Sequence, residues 1–363
     1  MKEFKLKTEL FFGMQAIQHL GTLDYSQVLV ITDDFLAKSG MVHKMIQYLP
    51  QKAAHHIYSN VKPDPSQELV DEGVEMICDV KPDLVISFGG GSCIDATKAI
   101  LYFAHERGLK KPYFLAIPTT AGTGSEVTNF AIITRGPNKI ALIDDFLAPD
   151  GALLEADFTR SVPPRITVDT GLDALSHALE SYVSIEATSF SQALSVKVLR
   201  TIFEDLPVVY RDGMAMRSRE CMMEAACAAG IAFTNAGLGI NHSLAHALGG
   251  RFHVAHGRLI AVLMPYVIAF HISDSNYVKP YNQLARELGL ADARALLEKI
   301  VQFLRTLDVE ASLSELSCID ATTFENELVA MAQAAQHDRC TPTNVRYVSQ
   351  QDLINIYRLA FRG

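Results

Sequence analysis

Leu84-Val85-Ile86-Ser87-Phe88-Gly89-Gly90-Gly91-Ser92-Cys93-Ile94-Asp95-Ala96-Thr97-Lys98-Ala99-Ile100-Leu101 passes from an apolar run through three consecutive glycines into a helix-like stretch. The run is short, rich in β-branched residues and uninterrupted, as in a buried strand. Val28-Leu29-Val30-Ile31-Thr32 upstream and Phe114-Leu115-Ala116-Ile117-Pro118 downstream read the same way. Between the first two, Ser66 to Val80 places Leu69, Val70, Val74, Ile77 and Cys78 at helical spacing. Strand, helix and strand in this rhythm imply parallel strands joined by crossovers, an open α/β sheet.

Working outward, the texture changes after Pro163-Pro164. Windows 189–204, 216–234 and 282–306 carry helical periodicity, and strand-like runs are few. The twin prolines interrupt whatever precedes them. The expected organisation is an α/β domain over residues 1–162 and an all-α domain over 163–363. The opening Met1-Lys2-Glu3-Phe4-Lys5-Leu6 alternates like a strand and lacks the apolar stretch of a signal peptide.

Bulk composition narrows the function. With 363 residues, 49% of them hydrophobic and 20% charged, the chain can bury a large core without disulfides or a structural metal. A net charge of −9 with no basic run counts against nucleic-acid and anionic-membrane partners. No transmembrane-length apolar run occurs. The six cysteines are scattered with no CxxC pair, as expected of reduced thiols in a cytoplasmic protein.

The glycine turn suits a phosphate. Glycines allow close backbone approach, and the N–H groups that open a helix attract a diphosphate. The spacing is not GxGxxG. A second loop, Pro118-Thr119-Thr120-Ala121-Gly122-Thr123-Gly124-Ser125-Glu126, follows the third strand with hydroxyls and glycines suited to a dinucleotide. Asp33 stands just past the first strand, where a carboxylate accepts ribose hydroxyls and repels a 2′-phosphate. Its plainer reading is a cap on the next helix. The acid precedes the glycines here instead of following them, so the sheet order must differ from the usual dinucleotide fold.

The second half carries metal chemistry. Asp173 and His177 lie four apart, on one face of a helix. His242, His246, His253 and His256 fall within fifteen residues, among small and apolar neighbours. Three imidazoles with one carboxylate suit Fe(II) or Zn(II). Ser243 stands where a zinc peptidase needs its glutamate base, which argues against that chemistry. Spacing alone leaves all four histidines as candidates.

Together these motifs resemble the iron-dependent (group III) alcohol dehydrogenases over essentially the whole chain. The likeness rests on Gly89-Gly90-Gly91-Ser92 with Asp95 and Lys98, on the Pro118–Glu126 loop, on Thr170 to Glu180, and on His242 to Gly257. Within the family it is strongest to the 1-propanol dehydrogenases of propanediol-utilising microcompartments. The resemblance implies a dehydroquinate-synthase-like architecture: a Rossmann-like NAD-binding domain followed by a helical metal-binding domain. It implies Asp173, His177, His242 and His256 as ligands of Fe(II), with Zn(II) the alternative. It also implies that His246 lies near the substrate as a catalytic residue outside the ligand set, and that His253 is structural or lines the pocket. It further implies that Asp33 selects NAD, with Asp64, Gly90, Gly91, Ser92, Thr119, Thr120, Thr128 and Lys139 near the cofactor. Two positions depart from the family pattern: Glu155-Ala156 replaces Asp-Pro, and Val345 replaces the proline of Thr-Asn-Pro-Arg.

The expected function is NAD-dependent, metal-activated interconversion of short primary alcohols and aldehydes, the metal acting as a Lewis acid and His246 relaying a proton. One rival is a lyase of the dehydroquinate-synthase type, but its phosphorylated substrate wants basic residues that the helical half scarcely offers. The other is a catalytically idle scaffold packed in a shell, against which the intact ligand set argues. The expected partners are a small alcohol or aldehyde and further copies of the chain, as a homodimer or larger homo-oligomer. Residence in the cytoplasm is expected, and the sequence leaves open whether the protein is free there or enclosed in a bacterial microcompartment beside shell or enzyme partners.

Overall fold

The computed structural model describes residues 2–136 and 138–363. They form two compact units. The first comprises Lys5–Val162 together with Arg219–Gly230; the second comprises residues 2–4, Pro163–Ser218 and Ile231–Gly363.

The strands, in chain order, are β1 (Glu9–Phe12), β2 (Gln27–Asp33), β3 (Ala54–Val61), β4 (Leu84–Gly89), β5 (Tyr113–Pro118), β6 (Phe130–Arg135), β7 (Asn138–Ile143) and β8 (Gly151–Leu154). Among the described residues six of them form one parallel sheet in the order β1-β8-β5-β4-β2-β3, while β6 and β7 pair antiparallel. The helices of this unit are α1 (Asp34–Lys38), α2 (Met41–Ile46), α3 (Gln67–Val80) and α4 (Gly91–Glu106).

Alternation explains why the central strands read as unbroken apolar runs. Leu29, Ile31 and Val85 pack on one face with α3 and α4 residues such as Val74, Ile94 and Ile100. Val28, Val30, Ile86 and Phe88 pack on the other with Leu36, Val42 and Met45. A parallel strand covered on both faces has no polar side. Ser66 caps α3, its hydroxyl accepting from Leu69 N at 3.3 Å.

The sheet order resolves the inverted sequence order of acid and glycines. The chain runs from β2 outward to β3, then crosses back to place β4 on the other side of β2. The carboxyl ends of β2 and β4 are therefore neighbours at a topological switch point, where open α/β sheets bind ligands. Asp33 ends one strand and the glycine turn ends the other.

The helical unit holds α5 (Pro164–Val183), α6 (Ser189–Arg211), α7 (Met216–Ala236), α8 (Ile240–Phe252), α9 (His256–Ile272), α10 (Val278–Glu287), α11 (Ala293–Thr306), α12 (Ala321–Gln336) and α13 (Gln350–Arg362), apart from the middle of α7. Pro164 opens α5, where its missing N–H costs nothing. The window 282–306 proves to be two helices, not one. Gly289 adopts φ +77°, and Asp292 caps the second helix by accepting from Ala295 N at 2.9 Å. The alternation at the start of the chain forms no strand: residues 2–7 are irregular, Met1 lies outside the described residues, and β1 begins at Glu9. No single helix among the described residues is long and apolar enough to cross a membrane.

The middle of α7 belongs to the α/β unit through a contact that only glycine permits. A Cβ on Gly230 would stand 2.8 Å from both Cα and O of Gly124, itself at φ +64°. Gly230→Ala adds about 1 kcal/mol of helix propensity but drives a methyl into backbone, an overpacking that costs about 1–3 kcal/mol. A lower Tm than wild type is expected in thermal unfolding; an equal or higher Tm would show that the 122–127 loop gives way freely.

Candidate metal centre and dinucleotide turn

Asp173 and His177 stand one turn apart on α5, both buried. α8 brings in buried His242, and α9 begins with His256. The three imidazoles gather around one carboxylate oxygen. Asp173 Oδ1 lies 3.6 Å from His177 Nε2, 3.4 Å from His242 Nε2 and 3.5 Å from His256 Nε2. Donors about 2.0–2.2 Å from a shared tetrahedral ion are separated by about 3.3–3.6 Å, so this spacing fits a first-row divalent cation. Asp173 Oδ1 and His242 Nε2 are buried and find no hydrogen-bond partner. Buried polar atoms are rarely left so without a ligand to satisfy them.

The surroundings fix these donors. Glu180, two turns along α5 from Asp173, accepts from His242 Nδ1 with Oε2 and from Asn241 N at 2.8 Å with Oε1. This aims the His242 Nε2 lone pair at the cluster. Burial pushes the His242 pKa down, but Glu180 and Asp173 outweigh it and hold it at about 9. Burial likewise opposes ionisation of Asp173, yet the surrounding imidazoles keep its carboxyl below the usual range. Two buried carboxylates thus call for positive charge at this point.

Glycines set the spacing. A Cβ on Gly257 would fall 2.0 Å from the backbone oxygen of Asp169, so only glycine lets the start of α9 lie against α5. Buried Arg258 locks the same approach, forming ion pairs with Asp169 at 2.7 Å and Glu310 at 3.0 Å. At the start of α8, a Cβ on Gly239 would lie 2.8 Å from Glu180 Oε1.

His246 is half-exposed, with its ring stacked on His256 at 5.2 Å and its Nδ1 2.9 Å from Asp338 Oδ2. His253 stands apart: it is exposed and ends α8 with φ +53°. The Thr343-Asn344-Val345-Arg346 segment serves as a clasp. Asn344 accepts from Ile240 N at 3.2 Å and contacts buried His271 at 3.0 Å, while Arg346 stacks over Phe270.

In the α/β unit the glycine turn opens α4 at Gly91. Asp33 does cap α1, Oδ1 accepting from Leu36 N at 2.8 Å, and its Oδ2 accepts from Cys93 Sγ at 3.7 Å in the first turn of α4. A carboxylate that caps retains free lone pairs. Thr119 N donates to Gly89 O at 3.1 Å, joining the two loops, and Thr120 lies close to Gly90. Ser92 is partly buried in the first turn of α4. Asp64, at φ +53°, pairs with Lys139 at 2.6 Å, both exposed.

Thr128 is set apart from these. It is fully buried, with its hydroxyl 2.7 Å from Lys98 Nζ. Lys98, also fully buried, reaches Thr128 O at 2.9 Å and Phe130 O at 2.8 Å, while Asp95 accepts from Ser125 Oγ and from Ile132 N at 2.9 Å. These two motif residues hold the loop in shape. Glu155 caps the turn that follows it and accepts from Ile17 N at 3.1 Å.

Glu180 and Gly257 end two of the motifs without a role being read for them, and Asp338 lies outside every motif. Glu180 was legible in principle, two helical turns from Asp173 on the same face. Asp338 had no such signal, lying 92 residues from His246.

Comparison with known proteins agrees with both units. Residues 7–156 match the iron-containing alcohol dehydrogenase domain, and residues 167–361 match the C-terminal domain of the Fe-containing alcohol dehydrogenase family. The chain belongs to the iron-containing alcohol dehydrogenase family and is an oxidoreductase. It is 38% identical to 1-propanol dehydrogenase PduQ of Citrobacter freundii, over 95% of this chain and 96% of that one. The NADPH-dependent butanol dehydrogenase of Clostridium saccharobutylicum is 32% identical, over 100% and 99%. The iron-containing alcohol dehydrogenase of Thermococcus thioreducens superposes with a TM-score of 0.94 at 30% identity, covering 99% of this chain and 100% of that one.

Gly257→Ala tests the α5–α9 approach. Helix propensity favours alanine by about 1 kcal/mol, but a backbone overlap at 2.0 Å cannot be relieved by a rotamer change. The variant is expected to keep its helical circular dichroism and bind Fe(II) or Zn(II) about 10-fold or more weakly. Wild-type affinity in a metal titration would show that His256 is placed by something else.

Proposed function

We propose that the chain is an NAD-dependent, metal-activated alcohol dehydrogenase interconverting short primary alcohols, propanol among them, and their aldehydes. The observation that carries this reading is the convergence of three imidazoles on Asp173 Oδ1. Asp173, His177, His242 and His256 would hold Fe(II), the family's usual metal, or Zn(II). An ion held there would supply a Lewis acid for the substrate oxygen, and bound NAD(H) would supply the hydride chemistry. Glu180 keeps His242 oriented with its acceptor nitrogen inward, and the burial of the α5 residues excludes water from the donors. His246, outside the cluster but stacked on His256, would contact the substrate hydroxyl.

The turn at Gly90, Gly91 and Ser92, with Thr119 and Thr120 beside it, would take the cofactor diphosphate, and Asp33 the adenosine ribose. The Asp64–Lys139 pair would lie further along the cofactor. The resemblance to microcompartment 1-propanol dehydrogenases supports a homo-oligomer enclosed in such a compartment.

The deciding experiment is an anaerobic screen of C2–C6 alcohols and aldehydes with iron-loaded protein and each of NAD(H) and NADP(H). Oxidation of NADH with propanal is expected; substrate conversion without net change in NADH would point instead to a lyase. Metal content and turnover in two variants test the site. His256→Ala should lose both, while His246→Ala should keep its metal and lose about 10²–10⁴-fold in rate. If His246→Ala sheds metal as readily, His246 is a ligand.

Cofactor choice is a separate test. Asp33→Gly should gain NADP use and weaken NAD binding, since repulsion and the ribose hydrogen bonds vanish together. Loss of its cap on α1 should also lower stability by a few tenths of a kcal/mol. Unchanged preference in the variant would leave Asp33 as a cap alone.

A further inference from the structure

His246 is held from behind by a carboxylate that the family motifs do not include. Its Nδ1 lies 2.9 Å from Asp338 Oδ2. Asp338 sits just past α12, and its backbone is pinned on both sides: its N–H donates to Ala335 O at 3.2 Å, and its carbonyl accepts from Thr341 N at 3.1 Å. The second carboxylate oxygen, Oδ1, accepts from Cys340 N at 2.8 Å and from Ser243 Oγ at 3.2 Å. Ser243 in turn accepts from Thr341 Oγ1 at 2.8 Å. Burial disfavours a charged Asp338, but the hydrogen bond and charge of His246 together with the hydrogen bonds from Cys340 outweigh it and hold the carboxyl below the usual range.

An ionised carboxylate accepts and never donates, so the ring nitrogen facing Oδ2 must carry the hydrogen. Neutral His246 then has its proton on Nδ1 and its lone pair on Nε2. Stacking on the His256 ring, 16° from parallel, fixes the plane.

We propose that Asp338 is a positioning residue: it locks His246 in the Nδ1–H tautomer so that Nε2 presents an acceptor to the substrate hydroxyl. The proposal rests on the reading of His246 as substrate-facing. Only a carboxylate does this, because both flanks of residue 338 supply hydrogen: Cys340 N–H and Ser243 O–H on one side, the imidazole on the other. In Asp338→Asn the amide carbonyl must stay towards Cys340 and Ser243. Its NH2 group then faces His246 Nδ1 and imposes the opposite tautomer, turning Nε2 from acceptor to donor.

The test uses full-length protein loaded with Zn(II) and labelled with 15N-histidine, the His246 signals being assigned by their loss in His246→Gln. Ring nitrogen shifts report which nitrogen carries the hydrogen. Wild type should show Nδ1–H. Asp338→Asn should show Nε2–H with unchanged zinc content, and its kcat for alcohol oxidation should fall by about 10²–10⁴-fold with KM moving far less. A wild-type ring protonated on Nε2 would overturn the proposal, as would a variant with the reversed tautomer and an undiminished kcat. Absence of any alcohol turnover by wild type would sink the functional reading instead, and the wild-type ring shifts would still decide the role of Asp338.

Discussion

One buried carboxylate oxygen dictates the arrangement of the helical unit. Asp173 lies in the middle of α5, where nearly every residue from Thr167 to Val183 is buried. An ionised group so far from water is tolerated only with opposite charge or strong hydrogen bonds around it. Here the compensation comes from imidazoles on three helices, one of them held by Glu180. The start of α9 must therefore sit against α5, and α8 must present His242 inward. Gly257 and Gly239 stand at the two points where a side chain would block this.

The α/β unit answers a different demand. Its sheet brings an acid and a glycine turn together from strands that are distant in sequence but neighbours in space. The loop that follows β5 is held from beneath by α4. Lys98 is buried at a desolvation cost offset by oxygens of Ser125, Thr128 and Phe130, and Asp95 secures the other side. Thr128 is fully buried and bonded to Lys98 as part of this support, whereas Thr119 and Thr120 lie next to the glycines.

The central strands were legible because both faces are covered, leaving no polar alternation to confuse them with surface elements. β3, at the sheet edge, was not: Ala54-His55-His56 is exposed and carries no apolar pattern. The break between α10 and α11 was hidden because the apolar spacing continues across Gly289, and only the glycine's positive φ and the Asp292 cap mark it. At the site, helical spacing places Asp173 beside His177 and His242 near His246, since residues four apart share a face. It says nothing about Asp338, whose proximity to His246 arises from the packing of α12 on α8. Nor does it separate Thr128 from its neighbours, as a hydroxyl turned inward and one turned outward look alike in sequence.

Arg219–Gly230 belongs to the α/β unit although the chain has already entered the helical unit at Pro163. The α/β unit is thus not a contiguous stretch that can finish folding when residue 162 leaves the ribosome. Domains generally fold as units in the order of synthesis. Here the sheet must wait, with Gly124 and Val127 uncovered, until the middle of α7 has emerged along with α5 and α6. The order of synthesis therefore entangles the maturation of the two halves, and a fragment cut at the proline pair would lack the helix segment that packs on its own 122–127 loop.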